Sequence, residues 1–262
     1  MPNICLRSAL FGVIQRGRGK AVKGELIASV GGLHIRYTGW RLDQGDFDVL
    51  AHAFHLLSRL LEQSRPGYVP FTAKGFLKGI GRQWGKSGRD WLLDSLRRMN
   101  ASAVEIRLEV RGGLMPESYT YAGSLIEEFY YDEGEGTYLL KMNRKLCSLF
   151  DSGWTMLQWK QRILLQTDLA KWLHGFYASH ATPYPMKVAT LKYLCGSECG
   201  RLSDYRGKLR AALDELVKCG VLDSWKIDRQ DKVHVLKKVS HQWKQGGIAV
   251  ARGGHSSRTE GA

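Results

Sequence analysis

Displaced by 117 residues, the chain matches itself. Phe76–Gly79 (FLKG) falls on Tyr193–Gly196 (YLCG). Without a gap, Arg89 then falls on Arg206, Leu92 on Leu209, Leu96 on Leu213, Met99 on Leu216 and Val104 on Val221. A coincidence of leucines between two amphipathic helices is cheap. The order around it constrains the fold: a short helix, a Gly-containing turn, a basic-fronted amphipathic helix, then strands, twice in one chain. A helix braced by the one before it buries an apolar stripe and leaves its other side and N-terminus exposed. With a β-hairpin after it, each copy reads as a winged helix. The expected class is α+β, with two tandem winged-helix domains.

The local patterns fill in each copy. Phe47, Leu50, Phe54, Leu57 and Leu61 recur at helical spacing, so Asp43–Leu61 is expected to be a helix, capped by Asp43 and carrying Asp46 in its first turn. A shorter helix follows over Thr72–Ile80, opened by Thr72 and stopped by Gly79 and Gly81. Lys86–Asn100 buries Leu92, Leu93, Leu96 and Met99. The period then changes to two, giving strands over Ala103–Val110, Tyr119–Tyr131 and Thr137–Asn143. The character resets at DSG (Asp151–Gly153). Helical patterns run through TMLQWKQRILL and Thr167–His180, and ATPYPMK, with two prolines, leaves the helix. A short helix, Val188–Leu194, precedes RLSDYRGKLRAALDELVKCGVL (Arg201–Leu222). Strands Val221–Ile227 and Lys232–Val239 close the copy.

At the N-terminus, Ser8–Ile14 reads as a strand or docking segment, Gln15–Gly24 as a basic loop and Leu33–Gly39 as a strand. The expected domains are 1–150 and 151–243, with a disordered Gly/Ser-rich tail over 244–262.

Charge narrows the function. Thirty-nine basic against 25 acidic side chains leave a formal net charge of +14, a surface that gathers anions, of which nucleic acid is the commonest partner. No apolar run is long enough to cross a membrane and MPNICLRSALFGV lacks the pattern of a secretory leader, so a cytoplasmic protein is expected. The five cysteines are irregularly spaced. Cys195 and Cys199, even with Cys219, fall short of a four-ligand zinc site, and His52 with His55 lacks a third ligand, so no metal is expected. No phosphate-binding loop, nucleophile–base arrangement or His-x-His nicking cluster is present. The expectation is a protein without cofactor that acts by binding, not an enzyme.

In the second copy Leu209, Leu213 and Leu216 face the core. Ser203 is the expected N-cap, with Asp204 at the favourable end of the helix dipole. Arg201, Tyr205, Arg206, Lys208 and Arg210 complete the expected contact set. In the first copy the comparable residues are Lys86, Ser87, Arg89 and Arg97. Arginines early in such a helix suit guanine edges. The hairpin bases Arg111, Lys226, Arg229 and Lys232 suit phosphates. A solvated, snorkelling face is the plain alternative for any one of them. The acidic stretch Glu127–Glu135 is a poor DNA face, and its turn is expected to point away from a duplex.

Two stretches, ASHATPYPMKVATLKYLCGS (Ala178–Ser197) and YRGKLRAALDELVKCGVL (Tyr205–Leu222), closely resemble the TrfA-type replication initiators of broad-host-range plasmids. The first half is similar more weakly, at Arg7–Phe11, His34–Gly39 and Gly39–Leu50. The resemblance spans about residues 4–240. It implies two winged-helix domains that bind direct repeats (iterons) in a plasmid origin as monomers. It further implies opening of an adjacent AT-rich region, capture of single-stranded DNA and recruitment of the host replicative helicase and initiator proteins. Inactive self-dimers off the DNA, which contribute to copy control, also follow from it. The chain begins near the shared core, without the long extension and sliding-clamp peptide of larger relatives. Lys145–Phe150 (KLCSLF) is read as a buried strand end rather than a clamp peptide. A transcription regulator built from the same modules is the alternative, separated by its DNA: a palindrome over a promoter instead of direct repeats.

Overall fold

The computed structural model describes residues 1–14, 19–30, 33–60, 68–109, 118–132, 134 and 136–238. Arg111 and the 244–262 tail lie outside them. A one-turn helix α1 (Asn3–Leu6) and a two-residue strand β1 (Phe11–Gly12) begin the chain, where one segment over Ser8–Ile14 was expected. Strands β2 (Ala21–Ile27) and β3 (His34–Trp40) follow, then β4 (Leu42–Asp43), parallel to β1.

Helix α2 (Gln44–Leu60) opens with a reciprocal cap. Asp43 Oδ1 accepts from the backbone N–H groups of Gly45 (2.8 Å) and Asp46 (3.0 Å), while Asp46 Oδ2 accepts from Asp43 N at 3.1 Å. Strand β5 (Tyr68–Thr72) runs into α3 (Ala73–Gly79), whose first turn Thr72 Oγ1 caps through Gly75 N at 3.2 Å. Gly81, at φ +70°, turns the chain into α4 (Lys86–Asn100). Four strands come next: β6 (Ala103–Glu109), β7 (Ser118–Gly123), β8 (Ile126–Asp132) and β9 (Thr137–Met142). A 3₁₀ helix, Arg144–Phe150, buries Leu146 and Leu149, so Lys145–Phe150 is helical rather than a strand end. Helices α5 (Trp159–Leu164) and α6 (Asp168–Ala178), β10 (Met186–Lys187), α7 (Val188–Leu194), α8 (Leu202–Lys218), β11 (Leu222–Ile227) and β12 (Lys232–Lys237) complete the described chain.

The repeat is architectural. In the first unit α2, β5, α3, α4 and the hairpin β8–β9 form a winged helix; in the second α6, β10, α7, α8 and β11–β12 do so. In both, the strand just ahead of the middle helix pairs with the second strand of the hairpin, giving sheet orders β5-β9-β8 and β10-β12-β11.

The sequence repeat misplaces one part. Ala103–Val110 is not the first wing. Its described part, β6 (Ala103–Glu109), joins a four-stranded antiparallel sheet of order β2-β3-β6-β7. Tyr119–Tyr131 is not one strand either, because it breaks at Ser124–Leu125 and its halves enter different sheets. Asn143 Nδ2 donates to Ser124 O (3.1 Å) and to Tyr121 Oη (3.0 Å), and Tyr121 Oη donates to Ser124 O (2.9 Å), which satisfies the Ser124 carbonyl at the break. The match of Val104 to Val221 is therefore incidental: Val104 pairs with Tyr37 and Gly123 inside the extra sheet.

Buried apolar side chains fall into two clusters, one from Ile4 to Leu149, the other from Leu165 to Val233. A polar knot joins them. Arg162, 1% exposed, donates from Nε to Asp48 Oδ1 (2.6 Å), from Nη2 to Gln44 Oε1 (2.9 Å) and from Nη1 to Lys171 O (2.9 Å). Lys171 Nζ closes on the other oxygen of Asp48 at 2.6 Å. Trp172 Nε1 to Ser8 O (3.0 Å) adds a further tie across the junction, while Trp159 packs on the first cluster and donates to Gly79 O at 2.8 Å. The two winged helices are thus joined by charge-assisted bonds that Arg162 and Lys171 make between them.

Candidate nucleic-acid interface

Helix α8 divides cleanly. Tyr205, Leu209, Ala212, Leu213 and Leu216 are buried, and Arg201, Ser203, Asp204, Lys208 and Arg210 are exposed. The N-cap is Arg201, in extended backbone and without a side-chain cap, rather than Ser203. Leu202 packs against the second core, which starts the helix two residues early and leaves Ser203 Oγ donating to Asp204 Oδ1 at 3.3 Å. Tyr205 belongs to the core. It is 0% exposed, its hydroxyl lies 3.5 Å from Cys195 Sγ, and burial pushes its phenol well above the usual range. It has no face to offer a ligand.

Arg206 is half-buried and committed within the fold. Its Nε and Nη2 reach Asp231 Oδ1 and Oδ2 at 2.9 and 3.0 Å, a bidentate pair between the helix and the wing turn. Asp228 organises that turn. Its Oδ1 accepts from the N–H groups of Gln230 (2.8 Å) and Lys232 (2.9 Å), and its Oδ2 lies 2.8 Å from His234 Nε2. The His234 hydrogen bond, with the backbone bonds, holds the Asp228 carboxyl below its usual range. The turn presents Lys226 and Arg229 to solvent and keeps Lys232 half-buried. Exposed bases thus occupy both the open face of α8 and the wing beside it.

In the first unit Leu92, Leu96 and Met99 are buried, while Lys86, Ser87, Arg89 and Arg97 lie on the open side of α4. Arg97 Nη1 is 3.4 Å from Asp94 Oδ1. The turn before α4 holds a residue absent from the expected set. Trp84 is 51% exposed, with the Arg89 guanidinium 5.5 Å from its ring centroid. Its setting, RQWGKSGR, could have flagged it: an aromatic between two helices, bracketed by basic residues. The first wing differs sharply from the second. Glu127 and Asp132 are exposed there, Glu128 is half-exposed, and Lys141 Nζ is taken up by Glu127 (2.7 Å) and Glu128 (3.4 Å).

Among the described residues no group of three or more His, Cys, Asp or Glu side chains could hold a metal ion. His52 stacks between His55 and Trp159 and meets Phe76 edge-on, and burial pulls its imidazole down to about 4. Cys195 and Cys5 are buried thiols, pushed up to about 11 and about 12 by burial. No described helix is long and apolar enough to cross a membrane.

The fold and its two basic helices define a tandem winged-helix protein. Domains 2 and 3 of RctB share that fold. One crystal structure of them, a selenomethionine form, superposes with a TM-score of 0.62 over 89% of this chain and 98% of that one, at 15% identity. A second gives 0.56 over 86% and 95%, at 12% identity. The particular lineage follows from sequence: residues 1–237 match the family described as TrfA protein, and the chain belongs to it. It is 27% identical over 248 residues to the plasmid replication initiator protein TrfA of Escherichia coli, covering 89% of this chain and 60% of that protein. The chain thus spans about 60% of the length of the curated relative it matches.

Proposed function

We propose that this protein initiates plasmid replication by binding direct repeats in the plasmid origin, without cofactor or catalytic step, in the cytoplasm. The observation that carries the reading is the pairing of two equivalent winged helices, each with exposed bases on its last helix, α4 or α8, joined by the buried Arg162–Asp48–Lys171 knot. Fixed spacing between two reading heads suits a repeated site on one face of a duplex. The modules are residues 1–150 and 151–243.

In this reading Arg210, Lys208 and Arg201 of the second unit, and Lys86, Ser87, Arg89 and Arg97 of the first, face the groove. Lys226, Arg229 and Lys232 track phosphate, and Arg206 sets the wing against its helix. Several bound copies strain the neighbouring AT-rich duplex, whose steps cost roughly 1–2 kcal/mol each to unstack, and hold the single strand that results. Recruitment of the host helicase and initiator proteins, and a self-dimer off the DNA, belong to the same proposal.

The test is selection of bound fragments from sheared plasmid DNA near physiological salt, followed by footprinting. Regular protections beside an AT-rich tract are expected. A lone palindromic footprint assigns the protein to transcriptional control instead, and no enrichment removes DNA reading altogether.

A further inference from the structure

The two wings share one architecture and carry opposite charge. Side chains alternate across the first wing's sheet, β5-β9-β8. Val69, Tyr138 and Leu140 turn inward and are buried. On the outer side Pro70, Leu139 and Tyr130 stand directly opposite one another across the three strands, and all three are exposed, Leu139 at 40% and Tyr130 at 55%. The next outward row is Tyr68, Lys141 and Glu128. Tyr68 donates its hydroxyl to Glu128, and Lys141 is neutralised between Glu127 and Glu128. The far row ends on exposed Asp132, whose Oδ1 accepts from Gly134 N at 2.9 Å. The result is an apolar bar across three strands, bounded by carboxylates, on a chain of net charge +14.

We propose that this outer sheet face docks a partner protein through an aliphatic side chain flanked by lysines or arginines. Charge selects the occupant. A phosphate backbone meets Glu127, Glu128 and Asp132 as like charge. A second copy applied to the same face would bring two acidic borders into one interface, with Lys141, the basic group on this face, already committed to Glu127 and Glu128. A basic segment with an apolar tip fills the bar and neutralises its border, and exposed tyrosine is a favoured anchor for such contacts. The inference stands apart from the DNA reading, since it uses neither α4 nor α8.

The experiment selects random peptides displayed on phage against the intact protein. It then follows the enriched peptides by fluorescence anisotropy with wild type, Tyr130→Ser, Leu139→Ser, and the double variant Glu127→Gln, Glu128→Gln. Enriched peptides are expected to combine Lys or Arg with an aliphatic residue, and to lose about tenfold in affinity in each variant, which is the scale of one buried anchor. All variants should keep wild-type affinity for a duplex DNA fragment and a wild-type light-scattering mass. Peptides that are neutral or acidic, or that bind the variants unchanged, overturn the proposal, as does a selection that enriches nothing. Loss of DNA affinity in Tyr130→Ser would give the face to the duplex, and a fall in oligomer mass would give it to a second copy; either result also overturns it.

Discussion

Arg206 and Asp231 form a bidentate ion pair, 2.9 and 3.0 Å, that fastens α8 to the turn of its wing. Asp231 holds this position at φ +60°, a left-handed conformation that a non-glycine residue adopts only at a cost. The pair makes Arg206 a brace between α8 and the turn of its wing. Replacing Asp231 with Gly removes the pair and relieves the backbone; replacing it with Ala removes the pair and keeps the strain. Both variants are expected to weaken DNA binding evenly across a panel of sites, with Ala less stable than Gly by roughly 1–2 kcal/mol. Anisotropy titrations and melting curves check this. A changed ranking of sites would return Arg206 to base reading.

Arg210 and Lys208 lie on opposite flanks of α8, either side of the buried Leu209, and both are exposed. Arg210→Ala is expected to relax base preference at one fixed position by about 1–3 kcal/mol. Lys208→Ala is expected to weaken all sites alike and to lower the slope of log affinity against log salt by about one. Neither should move the melting midpoint, because neither side chain packs in the core. Affinity measured over a salt series for a panel of single-base variants separates the two roles.

The helices were legible because helical period and capping are local. Asp43 and Thr72 cap the helices that they precede, and Leu209, Leu213 and Leu216 lie on the buried stripe that their spacing demands. Tyr205, four residues before Leu209, extends the same stripe, so its burial was readable from phase alone. Strand partners were not legible. Ala103–Glu109 and Thr137–Met142 show the same alternation, yet one lies in the extra sheet and the other in the wing. Pairing is settled by contacts distant in sequence, and a period of two carries no address. The same holds for Arg162. Nothing in WKQRILL marks it for burial, and its partner Asp48 is 114 residues away.

That buried knot gives a stability prediction. Arg162→Ala leaves the Asp48 carboxylate, 5% exposed, with Lys171 alone, and breaking a buried ion pair from one side costs about 3–5 kcal/mol. The variant should lose this in denaturant unfolding. Because Arg162 bonds to groups of both units, its loss should also separate their transitions, so that Trp fluorescence and far-UV circular dichroism no longer coincide. The double variant Arg162→Met, Asp48→Leu removes both charges and is expected to recover much of the stability. A single shared transition in Arg162→Ala would show that the junction holds without the knot.

His174 sets the acid limit. It is 1% exposed on α6, and burial, with the nearby Arg162 charge, pulls its imidazole down to about 3 from the ordinary 6.5. The folded protein therefore keeps His174 neutral where the unfolded chain protonates it. Between about pH 6.5 and pH 3 the unfolded state binds the extra proton, so stability is complete above 6.5 and falls as the solution is acidified through that window. Each such imidazole contributes a slope approaching about 1.4 kcal/mol per pH unit. His52, pulled down to about 4, adds to the upper part of the same window. Replacing His174 with Gln removes one titrating group and should flatten the curve below pH 6, even if the midpoint stability drops. Urea unfolding of both proteins from pH 7.5 to pH 4.5 measures the difference in slope. Parallel curves would show that His174 protonates freely in the fold, and that the acid sensitivity lies elsewhere.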